Sequence, residues 1–167
     1  MDEVVLKDVS ALIDTDEVRE LLLQLEYPPE IREEKTDQIV SEYRGNPQQP
    51  FLGVEWRGEI VGLIGLALGA DGSAVIRHIV VRRDRRGGGI GRGMIAAAAR
   101  KYALERIYAE TDHDAVEFYR KCGFGINSLG EKYPGTERFW CTLSGAVQPG
   151  VRADAGHGLK GGGKKTA

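Results

Sequence analysis

The sequence predicts a mixed α/β domain built on a twisted central sheet of six or seven strands with about four helices. Three observations carry it. Short β-rich runs punctuated by turn residues fill the middle of the chain, and apolar residues at helical spacing occur on both sides of them. One β-branched run then passes through a glycine-rich stretch into a helix and on to another β-run, the order of a βαβ unit, so one strand pair is parallel in a sheet that is antiparallel elsewhere.

A short strand is expected over residues 4–6. Asp14 and Glu17 then stand in capping-box register ahead of Val18, Leu21, Leu22 and Leu25, an apolar stripe with Pro28 and Pro29 as its stop. A second, more polar helix is expected over 31–43, with Ile39, Val40 and Tyr43 inward, ended by Gly45-Asn46-Pro47. Runs 51–56 and 60–68, joined through Arg57-Gly58-Glu59, read as a hairpin, and 74–81 is a third β-branched run. From Gly89 the period is helical, with Ile90, Met94, Ala97 and Ala98 on one face, and 106–112 is again β-rich. Asp114 and Glu117 form a further capping box before Ala115, Phe118 and Cys122, which are expected to face inward, with Gly123 as the stop. Residues 124–127 and 138–143 give two last short strands. A domain over 1–143 and a flexible tail over 144–167, with seven glycines in 24 residues, complete the organisation.

The formal net charge is −2, so the chain is no polycation, but its charge is uneven: residues 14–42 hold ten acidic side chains against three basic ones, and 77–92 hold six arginines against one aspartate. Nucleic acid is not an expected partner. The opening MDEVVLKDVS has no basic segment leading an apolar one, and no apolar run is long enough to span a bilayer, so no membrane is expected and the expected location is the cytoplasm. Cys122 and Cys141 lack CxxC spacing, and His78, His113 and His157 are scattered, which supports neither a disulfide framework nor a structural metal.

The chemistry concentrates in VRRDRRGGGIGRGMI, residues 81–95, with five arginines and five glycines. A strand feeding bare backbone amides into a helix start, with arginines alongside, is a phosphate site. A dinucleotide fingerprint fails, because the sixth place is Arg92 counted from Gly87 and Met94 counted from Gly89. Arg86-x-x-Gly89-x-Gly91 does fit an R/Q-x-x-G-x-G/A pyrophosphate loop, and here the chain resembles the GNAT superfamily of acetyl-CoA-dependent N-acetyltransferases. AVEFYRKCGF, residues 115–124, is similar to that family's A-x-x-F-Y-x-x-x-G-F segment.

The resemblance implies direct attack of a neutral amine on the acetyl-CoA thioester, without a covalent acetyl-enzyme or a metal. It implies that Gly87, Gly88, Gly89, Ile90, Gly91 and Arg92 cradle the pyrophosphate with Arg86 closing the loop, and that Ile79, Val80 and Val81 offer backbone groups to the pantetheine arm. Arg82, Arg83 and Arg85 either serve the ribose phosphate or solubilise the loop. Tyr119 matches the family's general acid for the departing thiolate, and a phenol that titrates near ~10 is protonated at neutral pH. Asp112 stands where asparagine is common, and a helix-start role is its plainer reading. Glu110 and His78 are candidate bases, His78 equally a packed core histidine; Glu55 is a third, more simply solvent-facing.

The acceptor is expected to be a small-molecule or peptide amine. EYPPEIREE, residues 26–34, carries four glutamates and one arginine, which suits a cationic amine and equally describes the solvated face of helices. Homodimerisation is common in the family, though no surface stripe in this sequence indicates it. The competing reading is a catalytically silent acyl-CoA-binding regulatory or interaction module, against which the retained Tyr119 argues.

Overall fold

The structure is a computed structural model and describes residues 3–145. In chain order the elements are β1 (Lys7–Asp8), α1 (Asp16–Leu22), α2 (Pro29–Tyr43), β2 (Phe51–Trp56), β3 (Glu59–Leu68), β4 (Ser73–Val81), α3 (Ile90–Lys101), β5 (Arg106–Thr111), α4 (His113–Lys121), β6 (Gly125–Tyr133) and β7 (Thr136–Ser144). The sheet order is β1-β2-β3-β4-β5-β7-β6. The mixed α/β class, seven strands and four α-helices are as the sequence predicts. The chain divides into two units, one comprising residues up to Leu68 with Ile76–Ala97, the other Gly69–Val75 with the described residues from Ala98 onward.

In the first unit the β2–β3 hairpin turns on Arg57 (φ 54°) and Gly58 (φ 81°), the left-handed pair that a two-residue hairpin demands. Thr15, rather than Asp14, caps α1 by accepting from the Val18 amide at 3.3 Å. Glu17 does not complete a capping box; its carboxylate accepts from the Ile60 amide at 2.8 Å and ties α1 to β3. Pro28 and Pro29 do not stop α1, which ends at Leu22; they open α2, where a ring at the first helical position costs nothing because its N–H would be unpaired anyway. Val18, Leu21, Leu22, Ile39, Val40 and Tyr43 are buried in one cluster with Phe51, Leu63 and Val80. Each such side chain contributes about 1.5–3 kcal/mol by leaving water.

The opening strand lies at Lys7–Asp8 and not at 4–6. Its place is set by antiparallel pairing of Lys7 with Gly53 and Asp8 with Leu52, while Val4 packs instead against Gly93, where a Cβ on the glycine would collide with the valine side chain.

In the second unit Ser73–Val75 pair in parallel with Arg106–Tyr108, the pairing that the βαβ order requires. That register ends at Val75 and leaves Ile79, Val80 and Val81 outside it. β7 lies between β5 and β6, antiparallel to both. Ile107, Ala109, Val116, Tyr119, Phe124 and Cys141 are buried. Ser144, assigned to the tail from sequence, ends β7, and the rest of the expected tail, 146–167, lies outside the described residues.

Candidate functional site

The glycine loop is a built turn. At the end of β4 the Arg82 amide donates to the Val61 carbonyl at 2.8 Å, fixing where the strand stops. A 3-10 turn over Arg83–Arg85 follows, and the Arg86 Nε donates back to the Val81 carbonyl at 2.8 Å, which ties the loop to the end of the strand. Gly87 and Gly89 have φ of 83° and 89°, a region that side chains strain to enter. Gly87, Gly88 and Gly89 are exposed, and nothing lies within 4 Å of where a Gly87 Cβ would be.

The first turn of α3 supplies the other half. The Gly93 amide donates to the Gly89 carbonyl at 2.9 Å, which makes Gly89 the cap. A glycine cap has no side chain to accept from the amides of Ile90, Gly91 and Arg92, and no helical carbonyl precedes them, so these donors and the positive end of the helix dipole stay available to an anion. Ile90 and Gly91 are buried and Arg92 is exposed.

The arginines divide by what they touch. Arg82 is committed to Asp84 at 2.7 Å and Glu59 at 2.8 Å, so its charge is largely neutralised. Arg85 lies over the Trp56 ring. The Arg83 amide donates to Gln24 at 3.0 Å.

His78, on β4, is held by Tyr43. Its Nδ1 is 2.6 Å from the Tyr43 hydroxyl, and burial, with Arg77 beside it, lowers its pKa to about 4. At neutral pH it is an uncharged, packed side chain with one ring nitrogen already occupied. Glu55 is exposed and paired with Lys7 at 2.9 Å.

In the second unit Glu110 on β5 accepts from Arg138 at 3.1 Å and from Lys132 at 3.3 Å. Burial works to raise its pKa, but these two cations outweigh it and hold the carboxyl below its usual range. A carboxylate so stabilised is a weaker base than an ordinary glutamate. Asp112 caps α4 by accepting from the Asp114 and Ala115 amides, the helix-start role expected of it; Asp114 therefore lies inside the helix rather than capping it.

The inward face of α4 differs from the sequence reading. Val116 and Tyr119 are buried, whereas Ala115, Phe118 and Cys122 are half-buried. The Tyr119 ring packs edge-on to Phe118 at 5.1 Å and Phe124 at 5.2 Å, an arrangement aromatic quadrupoles favour, and this turns the helix one position from the expected stripe. Burial raises the Tyr119 phenol above its ordinary value, so it is a proton donor throughout the neutral range. Burial also raises the Cys141 thiol to about 11, far from the thiolate that nucleophilic chemistry needs.

The sequence through this loop has a counterpart in a known family. The family model described as the acetyltransferase (GNAT) family matches residues 15–124, more than half of the chain, through both the glycine loop and the Tyr119 helix. The chain belongs to the GNAT acetyltransferase family.

Solved structures agree on the GNAT fold. A Desulfovibrio desulfuricans protein described as a GNAT-family acetyltransferase aligns with a TM-score of 0.71 at 18% identity, over 84% of this chain and 98% of that one. A spermidine N-acetyltransferase chimera from Vibrio cholerae aligns with 0.69 at 19% identity, over 87% and 97%. A Bacillus anthracis protein described as a streptothricin acetyltransferase, solved with acetyl coenzyme A, aligns with 0.55 at 28% identity, over 62% and 66%. No curated protein sequence matches the chain. Among the described residues no helix is long and apolar enough to cross a membrane, and no group of three or more His, Cys, Asp or Glu side chains could hold a metal ion.

Proposed function

We propose that this GNAT member is an N-acetyltransferase that moves the acetyl group of acetyl-CoA to a primary amine by direct attack. The observation that carries the reading is the loop between β4 and α3, where Gly87 and Gly89 take positive φ, a glycine stands at the helix start and Arg86 ties the loop back to the strand. Gly87, Gly88, Gly89, Ile90, Gly91 and Arg92 would hold the pyrophosphate. Ile79, Val80 and Val81, beyond the β4–β5 register, would offer backbone donors and acceptors to the amide-bearing pantetheine arm.

In the reaction the amine nitrogen forms a bond to the acetyl carbon and the carbon–sulfur bond breaks. The thiolate takes a proton and the nitrogen loses one. Tyr119, kept protonated by burial, is the residue we assign to protonate the sulfur. His78 is engaged by Tyr43 and is assigned a positioning role on β4 rather than proton removal. Glu110, ionised at neutral pH, is the remaining candidate to receive the amine's proton through water, as a weak base.

A cationic acceptor is supported by the spermidine N-acetyltransferase among the neighbours, since spermidine is a polyamine. Glu26, Glu30, Glu33 and Glu34 are exposed on and ahead of α2, with Glu33 paired to Arg19 at 2.6 Å.

The test is calorimetric titration of acetyl-CoA into the wild type and into Gly89→Asp with Gly91→Asp, followed by thiol release with a panel of polyamines, aminoglycosides and lysine peptides. Binding lost only in the loop variant, together with amine-dependent thiol release, supports the reading. A folded wild type that binds no acetyl-CoA overturns it, and binding without thiol release from any amine favours a silent acyl-CoA-binding module.

A further inference from the structure

The hairpin beside the glycine loop carries a second cationic feature. Trp56 ends β2, and the positive φ of Arg57 folds its guanidinium back over the Trp56 ring, 4.4 Å from the centroid. Arg85, in the turn ahead of Gly87, lies over the same ring at 3.7 Å. Two guanidiniums on one indole repel each other, so a purely structural account would pair at least one of them with a carboxylate. Among the described residues neither Arg57 nor Arg85 makes a direct ion pair; Asp84 lies near enough to Arg85 to feel its charge but is paired with Arg82, which has two carboxylate partners. The Arg85 Nε is moreover buried without a hydrogen-bond partner.

A guanidinium stacked on an aromatic face is fixed in plane and keeps its N–H edge free for a doubly accepting oxyanion. The neutral amides of the loop suit the phosphodiester-like pyrophosphate, whereas a monoester, with charge near −2, calls for fixed cations. Coenzyme A has one such monoester, on its 3′-ribose oxygen. We propose that Arg57 and Arg85, positioned by Trp56, bind that 3′-phosphate. The inference rests on the acetyl-CoA reading above and deepens it, and it makes Trp56 a positioning residue that touches no phosphate.

The test is titration of coenzyme A and of 3′-dephospho-coenzyme A into the wild type, Arg57→Gln, Arg57→Gln with Arg85→Gln, and Trp56→Leu, with circular dichroism as the control for folding. The wild type should bind coenzyme A at least about tenfold more tightly than the dephospho form. Arg57→Gln, a change at an exposed turn, should reduce that preference, the double variant should abolish it, and affinity for the dephospho form should hold throughout. Trp56→Leu should reduce the preference without removing it. A preference that survives intact in folded Arg57→Gln overturns the proposal. A wild type that binds both compounds equally also overturns it while leaving the acetyl-CoA reading in place, and one that binds neither overturns that reading as well.

Discussion

The Tyr43 hydroxyl and the His78 Nδ1 meet 2.6 Å apart inside the first unit, their rings edge to face, and the Tyr43 ring also packs on Phe51 at 4.9 Å. The side chain opposite this contact is absent by necessity: a Cβ on Gly65 would overlap the Tyr43 hydroxyl and ring. Tyr43 is 1% exposed, so its ring is surrounded by the core.

Gly65→Ala should therefore destabilise the fold by about 1–3 kcal/mol, the cost of overpacking a filled core. Urea denaturation checks it. A neutral Gly65→Ala would mean the ring can move aside, and the proposed fixing of His78 would fail with it.

His78 makes stability pH-dependent. Its folded pKa, about 4, lies below the usual 6.5, so the unfolded chain binds the extra proton between those values and stability falls as pH drops from about 6.5 to about 4. The effect is on the order of 3 kcal/mol at most. In His78→Gln the decline of Tm over this window should flatten, and an unchanged slope would place the titration elsewhere.

Glu110 adds an acid-side effect of its own. Its folded pKa is below the usual 4.5, so the stabilisation from Arg138 and Lys132 is fully present above 4.5 and is lost as pH falls from there through the lower folded value. A third of the side chain is exposed, which limits the contribution to under about 1 kcal/mol. Glu110→Gln should lose stability at pH 7 and little at pH 3, as Tm at the two values would show.

Tyr119→Phe separates binding from chemistry. With the phenol assigned to the departing sulfur, kcat should fall on the order of a hundredfold while the Kd for acetyl-CoA stays at its wild-type value. Equal kcat in the variant removes Tyr119 from the mechanism.

What could be read in advance follows the range of the interaction. The hairpin at Arg57-Gly58 and the strand, glycine loop and helix around 81–95 are written in neighbouring residues, so they were legible. The place of β1 is not written locally because a two-residue edge strand is set by its partner, and Pro28-Pro29 is ambiguous in sequence because proline ends one helix and starts the next equally well. The inward face of α4 depends on Phe124, outside the helix, and so was one position off. His78 with Tyr43, and Arg85 with Trp56, unite residues far apart in sequence and left no local signal. The two acids near Arg82 were visible as residues, but that they would neutralise it rather than Arg85 was not.

The start of α3 has an energetic meaning of its own. Gly91 and Gly93 occupy its first turn, each about 1 kcal/mol less favourable there than alanine, and Gly89, at the cap, has no side chain to accept from the amides ahead of them. Gly93 is explained by its contact with Val4, but Gly91 leaves the turn prone to fraying when nothing negative sits against it. An anion at that point would replace the missing cap and close the turn. Amide hydrogen exchange at residues 90–92 should then slow sharply on acetyl-CoA binding, while the C-terminal half of the helix, already locked by Ala97, Ala98 and Ala99 in the core, changes little.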